Sequence, residues 1–211
     1  MKRSKNISNY KYHFYEILLL LLALTFTAQL SYAQHHHESS VQKNIFLLMM
    51  DTMMVKMNNT PTGESPDVNF MQAMIPHHEG AVQMAKYEIK HGKDFGMIQL
   101  AKSILAEQAV EIQQMKSWVK EITPTSSKMP ADFQPSMNKT MMIMMNNMPN
   151  NNMLTDTDKS FASVMIPHHQ AAIDMAKVIL KFTKNEQTAN FAKHIISSQQ
   201  VEIEQMLSFL K

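Results

Sequence analysis

Met74-Ile75-Pro76-His77-His78 recurs as Met165-Ile166-Pro167-His168-His169, displaced by 91 residues. The same displacement, without a gap, pairs Asp67 with Asp158, Phe70 with Phe161, and Met84-Ala85-Lys86 with Met175-Ala176-Lys177. It continues through Gln108 and Gln199, Glu111-Ile112 and Glu202-Ile203, Gln114-Met115 and Gln205-Met206, and Trp118 and Phe209. Upstream, Met50, Met53, Met54 and Met57 fall on Met141, Met144, Met145 and Met148. A register held over this length is an internal duplication, in which each unit is one supersecondary element that buries its apolar face against its copy. Each unit reads as three helices: one rich in Met, one carrying His-His and one carrying Gln-x-x-Glu-Ile-x-x-Met.

Spacings of three and four put Phe70, Met74, His77, Ala81, Met84 and Glu88 on one face of the first His-His helix. Phe161, Met165, His168, Ala172, Met175 and Ile179 form the second such face. The following helices align Ala101, Ile104, Gln108, Glu111, Met115 and Trp118, and likewise Ala192, Ile195, Gln199, Glu202, Met206 and Phe209. Both sets are apolar stripes interrupted by His, Gln and Glu at repeated positions. A buried polar group costs one to several kcal/mol, roughly, unless it is paired. These groups are therefore expected to satisfy one another or a ligand.

A metal ion accounts for both interruptions. Thioether sulfur is a soft ligand that selects Cu(I), or Ag(I) by the same softness, and imidazole suits copper in either oxidation state. The expected ligands are His77, Met74 and Met84 with His168, Met165 and Met175 opposite, and Met115 and Met206 approaching from the neighbouring helices. Gln108, Glu111, Gln199 and Glu202 are expected behind them, accepting the other imidazole N–H and fixing the tautomer. His78 and His169 stand about 100° round the helix from His77 and His168, so an unbroken helix cannot aim both rings of a pair at one ion. With Met71 and Met74 they could form a more peripheral site, or Pro76 and Pro167 could bend the helix and bring the paired rings together. The alternatives to metal are a buried His satisfied by a Glu on the next helix, and Met used as flexible core filler. The choice of Met over Leu at so many repeated positions favours sulfur chemistry. Met50, Met53, Met54, Met57, Met141, Met144, Met145 and Met148 are auxiliary candidates, and so are His35, His36 and His37, an idle polar tail being the alternative for those three.

The chain opens with Met1-Lys2-Arg3-Ser4-Lys5 and continues through an uncharged, Leu-rich run over residues 17–28. Twelve helical residues span about 18 Å, short of a ~30 Å bilayer core. Ser31-Tyr32-Ala33 supplies a signal-peptidase pattern, so residues 1–33 are expected to be a removed leader, leaving Gln34 first and His36 third. Removal takes 4 of 20 basic and 1 of 18 acidic residues, which turns the formal charge of +2 into −1. A near-neutral chain lacks the field that phosphate backbones require, which argues against nucleic acid. There are no cysteines. Disulfides, thiolate metal sites, Fe-S clusters and Cys nucleophiles are thereby excluded. Met makes up 22 of 211 residues and Gly only 4. With good helix formers throughout and no alternating patterns, the composition predicts an all-α protein.

Ser65-Pro66-Asp67 predicts a cap followed by Pro at the first helical position, and Thr155-Asp156-Thr157-Asp158 predicts a capping box. Gly92 is expected to close the first His-His helix, Asp94 to open the next, and Thr183-x-x-Glu186 to form another box. Residues 123–134 read as a connector and residues 146–152 as a loop. The resulting organisation is a leader (1–33), a His/Met-rich segment (34–66) and a helical body (67–211). The body divides into a first repeat (67–121), a connector with the second Met-rich helix (122–157) and a second repeat (158–211).

Met74 to Ala85 with Gln108 to Met115, and Met165 to Ala176 with Gln199 to Met206, resemble the motif of the bacterial domain of unknown function 305 family. The resemblance implies a ferritin-like, antiparallel four-helix bundle made from two helical hairpins, with the Met-rich helices added. The Met-rich helices resemble those of periplasmic copper-binding members, which implies copper binding and copper resistance. Di-iron chemistry of the ferritin type is not expected, because Glu88-x-x-His91 occurs once and Ile179 and Phe182 replace it in the second copy. The expected function is copper sequestration or delivery in the periplasm or outside the cell, with a copper ion as ligand. Expected partners are other copper-handling envelope proteins and, for pairing, a second copy of the chain; no membrane span remains once the leader is cleaved. A metal oxidase and a metal-free helical interaction module are the competing readings.

Overall fold

The computed structural model describes residues 42–63, 65–122 and 129–211. The expected leader, Gln34, His35, His36 and His37, and half of the expected connector (123–128) lie outside them. Among the described residues six α-helices and one 3-10 turn occur, and no strand. They are α1 (Ile45–Asn58), α2 (Pro66–His91), α3 (Phe95–Glu121), α4 (Phe133–Asn146), α5 (Thr157–Ile179) and α6 (Glu186–Phe209), with the 3-10 turn at Asn151–Met153. None of the helices among the described residues is long and apolar enough to cross a membrane.

Five of the six helices are opened by a side chain that accepts a backbone N–H: Asn44, Ser65, Asp94, Asp156 and Asn185. Such a cap satisfies one of the amides a helix leaves unbonded at its start. Two expectations are corrected in detail. Asn185, not Thr183, caps α6, and the Thr183 hydroxyl instead donates to Asp67. Helix α4 begins at Phe133, inside the expected connector. Gly92 closes α2 as expected, at a φ of −65° and thus without a left-handed conformation. Its value is close approach: a Cβ there would lie 2.7 Å from the Glu88 carbonyl oxygen and against the Glu88 carboxyl.

Helices α2 and α3 form one hairpin and α5 and α6 the other. They join through α2 and α5, while α1 covers α2 and α4 covers α5. The four repeat helices make an antiparallel bundle. The start of α2 reaches the end of the α5 hairpin at Asp67 and Thr183, and the start of α5 reaches the end of α2 through Asp158. Asp67 and Asp158 are repeat equivalents, so the pseudo-two-fold of the sequence is a two-fold of contacts. The cross-bundle rings follow the same plan: Phe70 meets Phe191 at 6.5 Å, and Trp118 meets Phe191 at 5.2 Å. Every position of the two His-His stripes is buried, Phe70, Met74, His77, Ala81, Met84 and Glu88 as completely as their counterparts.

The two Met-rich segments are helices, α1 and α4, and Met50, Met53 and Met144 are core residues. Met54, Met57, Met141 and Met148 pack on the core from partly exposed positions, and Met145 is exposed. At Gly80, a Cβ would approach the Met53 Cγ and Sδ at 2.9 Å, so α1 lies closer to α2 than any side chain at that position would comfortably permit. The second copy carries Ala171 there, facing a groove shared with Met144.

Asp158 joins the hairpins by accepting from the Lys93 N–H at 2.9 Å and the Asp94 N–H at 2.8 Å. Burial works to raise its pKa, but hydrogen bonds from the Asp94 amide, the Glu88 side chain and the Lys93 amide together hold it below the ordinary carboxylate value. Asp158→Ala leaves two amides without their acceptor, and is expected to cost about 2–3 kcal/mol in urea unfolding. Asp67→Ala, whose partner is a hydroxyl, is expected to cost about 1 kcal/mol or less. Equal losses from the two variants would show that the caps contribute nothing special.

Candidate metal centre

His77 and His168 meet where α2 crosses α5. Their rings lie 3.8 Å apart between centroids, tilted by 33°, and His168 Nε2 is 3.1 Å from the His77 carbonyl oxygen. The stripe reading put these two residues inward, and they are fully buried. Burial first, and then the neighbouring imidazoles, push both pKa values well below 6.5. Both rings are therefore neutral at neutral pH, the form in which imidazole binds metal.

His78 and His169 are equally buried, which corrects the expectation of a peripheral site. Helix α2 is covered on three sides, so a ring turned 100° away from α5 points into the next interface and not into water. There His78 Nε2 lies 2.9 Å from Glu111 Oε2, and His169 Nε2 lies 2.8 Å from Glu202 Oε2. The Glu residues thus serve the second histidine of each pair, not the first as the stripes predicted. Gln108 and Gln199 are buried as expected, yet Gln108 Oε1 and Nε2 and Gln199 Oε1 have no hydrogen-bond partner among the described residues. The prolines leave the helix continuous, and the adjacent rings stay 6.2 Å apart in the first copy and 5.8 Å in the second.

Four buried imidazoles thus form a chain from Glu111 through His78, His77, His168 and His169 to Glu202. Five ring nitrogens in it have no hydrogen-bond partner among the described residues: His77 Nδ1 and Nε2, His78 Nδ1, His168 Nδ1 and His169 Nδ1. Leaving such groups unsatisfied costs about 1–3 kcal/mol each. Imidazole lone pairs lie in the ring plane, so a face-to-face pair does not hold an ion between its rings. Binding there requires at least one ring to turn and a further ligand to close the site. Met74, Met84, Met115, Met165, Met175 and Met206, on the stripes of the same four helices, are all buried.

The model of the family described as domain of unknown function (DUF305) matches residues 16–119 and 67–210. The chain belongs to the DUF305 family. Among curated proteins, the uncharacterized protein L153 of Acanthamoeba polyphaga mimivirus is 47% identical over 53 residues, and the chain spans about a third (35%) of that relative's length. Among solved structures, CopM in its Ag-bound form is 29% identical with a TM-score of 0.52, covering 68% of this chain and 93% of that one. CopM in its Cu(I)-bound form is 27% identical with a TM-score of 0.51, over 68% and 94% of the two chains. A DUF305 protein of Streptomyces coelicolor, 23% identical, shares the fold at a TM-score of 0.54 over 70% and 93%. The DUF305 bundle is therefore a fold on which metal ions have been seen, and the likeness to CopM supports a metal-binding role.

A further cluster of ligand-type side chains lies partly outside the repeated stripes. His194 on α6 faces Glu107 and Glu111 on α3, the one group of three or more His, Asp or Glu among the described residues whose ligand atoms lie within metal-binding reach of one another. The available signal was a departure from the repeat, since Ser103 and Ser198 stand at the positions equivalent to His194 and Glu107.

Proposed function

We propose that this chain is an exported copper-binding protein that takes up Cu(I), accepts Ag(I) by the same softness and Cu(II) in addition, and serves sequestration or delivery in the cell envelope. The observation that carries this reading is the chain of four buried histidines, five of whose ring nitrogens lack a hydrogen-bond partner among the described residues, in a core made from Met where Leu would fill the space as well. Neutral imidazole and thioether together are a donor set for Cu(I). His77 and His168 are the central ligands, with His78 and His169 beside them. Met74, Met84, Met165 and Met175 supply sulfur from the same helices, and Met115 and Met206 from α3 and α6. Glu111 and Glu202 fix His78 and His169 by accepting from Nε2, which leaves each Nδ1 as the free donor atom. The Met-rich helices α1 and α4 and His35, His36 and His37 offer further soft or imidazole donors for loading. Export rests on the leader read in residues 1–33.

A ligand bound only by the folded chain must stabilise it. Ag(I) or Cu(I) at about a thousand times the dissociation constant adds about 4 kcal/mol, which raises the melting temperature by roughly 10 °C for a body of this size. Thermal unfolding of the full chain with and without Ag(I) checks it. An unchanged midpoint in saturating Ag(I) and Cu(I) overturns the reading.

A further inference from the structure

The Glu107, Glu111 and His194 group lies at the surface end of the histidine chain, and its chemistry differs from everything in the core. His194 Nε2 is 3.3 Å from Glu107 Oε1 and 3.6 Å from Glu111 Oε1. The His194 side chain is 55% exposed, whereas Glu111 is 5% exposed and turns its other oxygen inward to His78. Glu111 Oε1 is buried, has no hydrogen-bond partner among the described residues, and is directed at this group. A carboxylate oxygen kept out of water without a donor carries a cost that a cation would remove.

We propose that Glu107, Glu111 and His194 bind a borderline divalent cation, of the Zn2+ or Cu2+ type, separate from the soft-metal cluster in the core. Two carboxylates and one imidazole, with no sulfur within the group, favour nitrogen- and oxygen-seeking ions over Cu(I). Three protein ligands and an exposed side leave a position for water or for a partner's donor atom. The donor atoms lie within 4.8 Å of one another, so modest rotations bring them to the 2.0–2.2 Å, roughly, that such ions require. Glu111 is shared between the two regions: one oxygen faces the outer ion and the other holds His78 at 2.9 Å. The duplication supplies an internal control. Around Glu202 the equivalent positions are Ser103 and Ser198, neutral hydroxyls in place of the imidazole and the second carboxylate, in a groove that Glu107 also lines. The site therefore exists on one side of the pseudo-two-fold only.

Zn2+ is the probe, since it is redox-silent and does not compete well for thioether sites. Isothermal titration of the full chain with Zn2+ at neutral pH is expected to show one ion fewer, or an affinity at least about tenfold weaker, in His194→Ala and in Glu107→Gln. Ser103→Ala and Ser198→Ala are expected to titrate like the parent. The histidines at 35–37 are present in every variant and contribute equally. His194 is exposed, and an unchanged far-UV spectrum shows that its variant is folded. Parent-like Zn2+ binding in both His194→Ala and Glu107→Gln overturns the proposal. Loss of the Ag(I)-induced thermal shift in His194→Ala also overturns it, because the outer group would then be part of the core site. Retention of that shift with loss of Zn2+ establishes two separate sites, whatever the core cluster binds.

Discussion

Replacing His77 and His168 together by Phe is expected to abolish the stabilisation by Ag(I) and Cu(I) while leaving the metal-free chain folded. The two rings stack at 3.8 Å in a fully buried position, so an aromatic pair can occupy the same slot. The substitution removes three ring nitrogens that have no hydrogen-bond partner among the described residues. Replacing unsatisfied polar atoms with apolar ones of similar shape is neutral or stabilising, whereas the larger Phe ring adds a packing cost of about 1–3 kcal/mol. The metal-free variant should therefore lie within about 2 kcal/mol of the parent in urea unfolding. Its Cu(I) affinity, measured against a chromogenic Cu(I) chelator, should fall by roughly 100-fold or more, beyond the 10–100-fold typical of losing a supporting residue. Met74→Leu with Met165→Leu separates sulfur from volume, because Leu and Met exchange in cores at low cost. A His77→Phe/His168→Phe chain that titrates like the parent would remove these residues from the ligand set.

The stripe that identified these two histidines shows what a sequence can and cannot convey. A 3.6-residue period and a repeat of 91 residues are enough to find the helices, their inward faces and the antiparallel pairing of two hairpins, because burial follows the period. The partner of each polar group is a different matter. A helical wheel assumes one inward face, but α2 is covered by α1, α3 and α5, so His78 is as buried as His77 while serving another interface. Glu111 and His78 lie on different helices, and nothing in their spacing distinguishes His78 from His77 as the one within 2.9 Å. His194 was invisible for the opposite reason. It breaks the repeat, sits on an exposed face, and gains meaning only when α3 brings Glu107 and Glu111 to it.

Stability of the metal-free chain should pass through a maximum near pH 6.5, falling on both sides. His77 and His168 have folded pKa values well below 6.5, chiefly through burial. Below about pH 6.5 the unfolded chain takes up protons there that the folded chain refuses. Their contribution is thus complete above that pH and lost as pH falls, at about 1.4 kcal/mol per unit for each ring. Glu88 works in the opposite sense. It is fully buried near the end of α2, and burial, followed by the Asp158 carboxylate and the more distant Asp156 and Asp94, raises its pKa to about 8. Between its ordinary 4.5 and about 8 the folded chain holds a proton that the unfolded chain has released. That contribution is complete at low pH and lost as pH rises through 8. Just below pH 6.5 two histidines oppose one glutamate, and net stability falls as the pH is lowered. From 6.5 to 8 Glu88 acts alone and stability falls as the pH is raised. Urea midpoints between pH 4.5 and 8.5 trace both limbs. Glu88→Gln should remove the alkaline fall, and His77→Phe with His168→Phe should remove the acid rise. If the parent continues to gain stability up to pH 8, Glu88 is ionised in the folded chain and burial does not govern it.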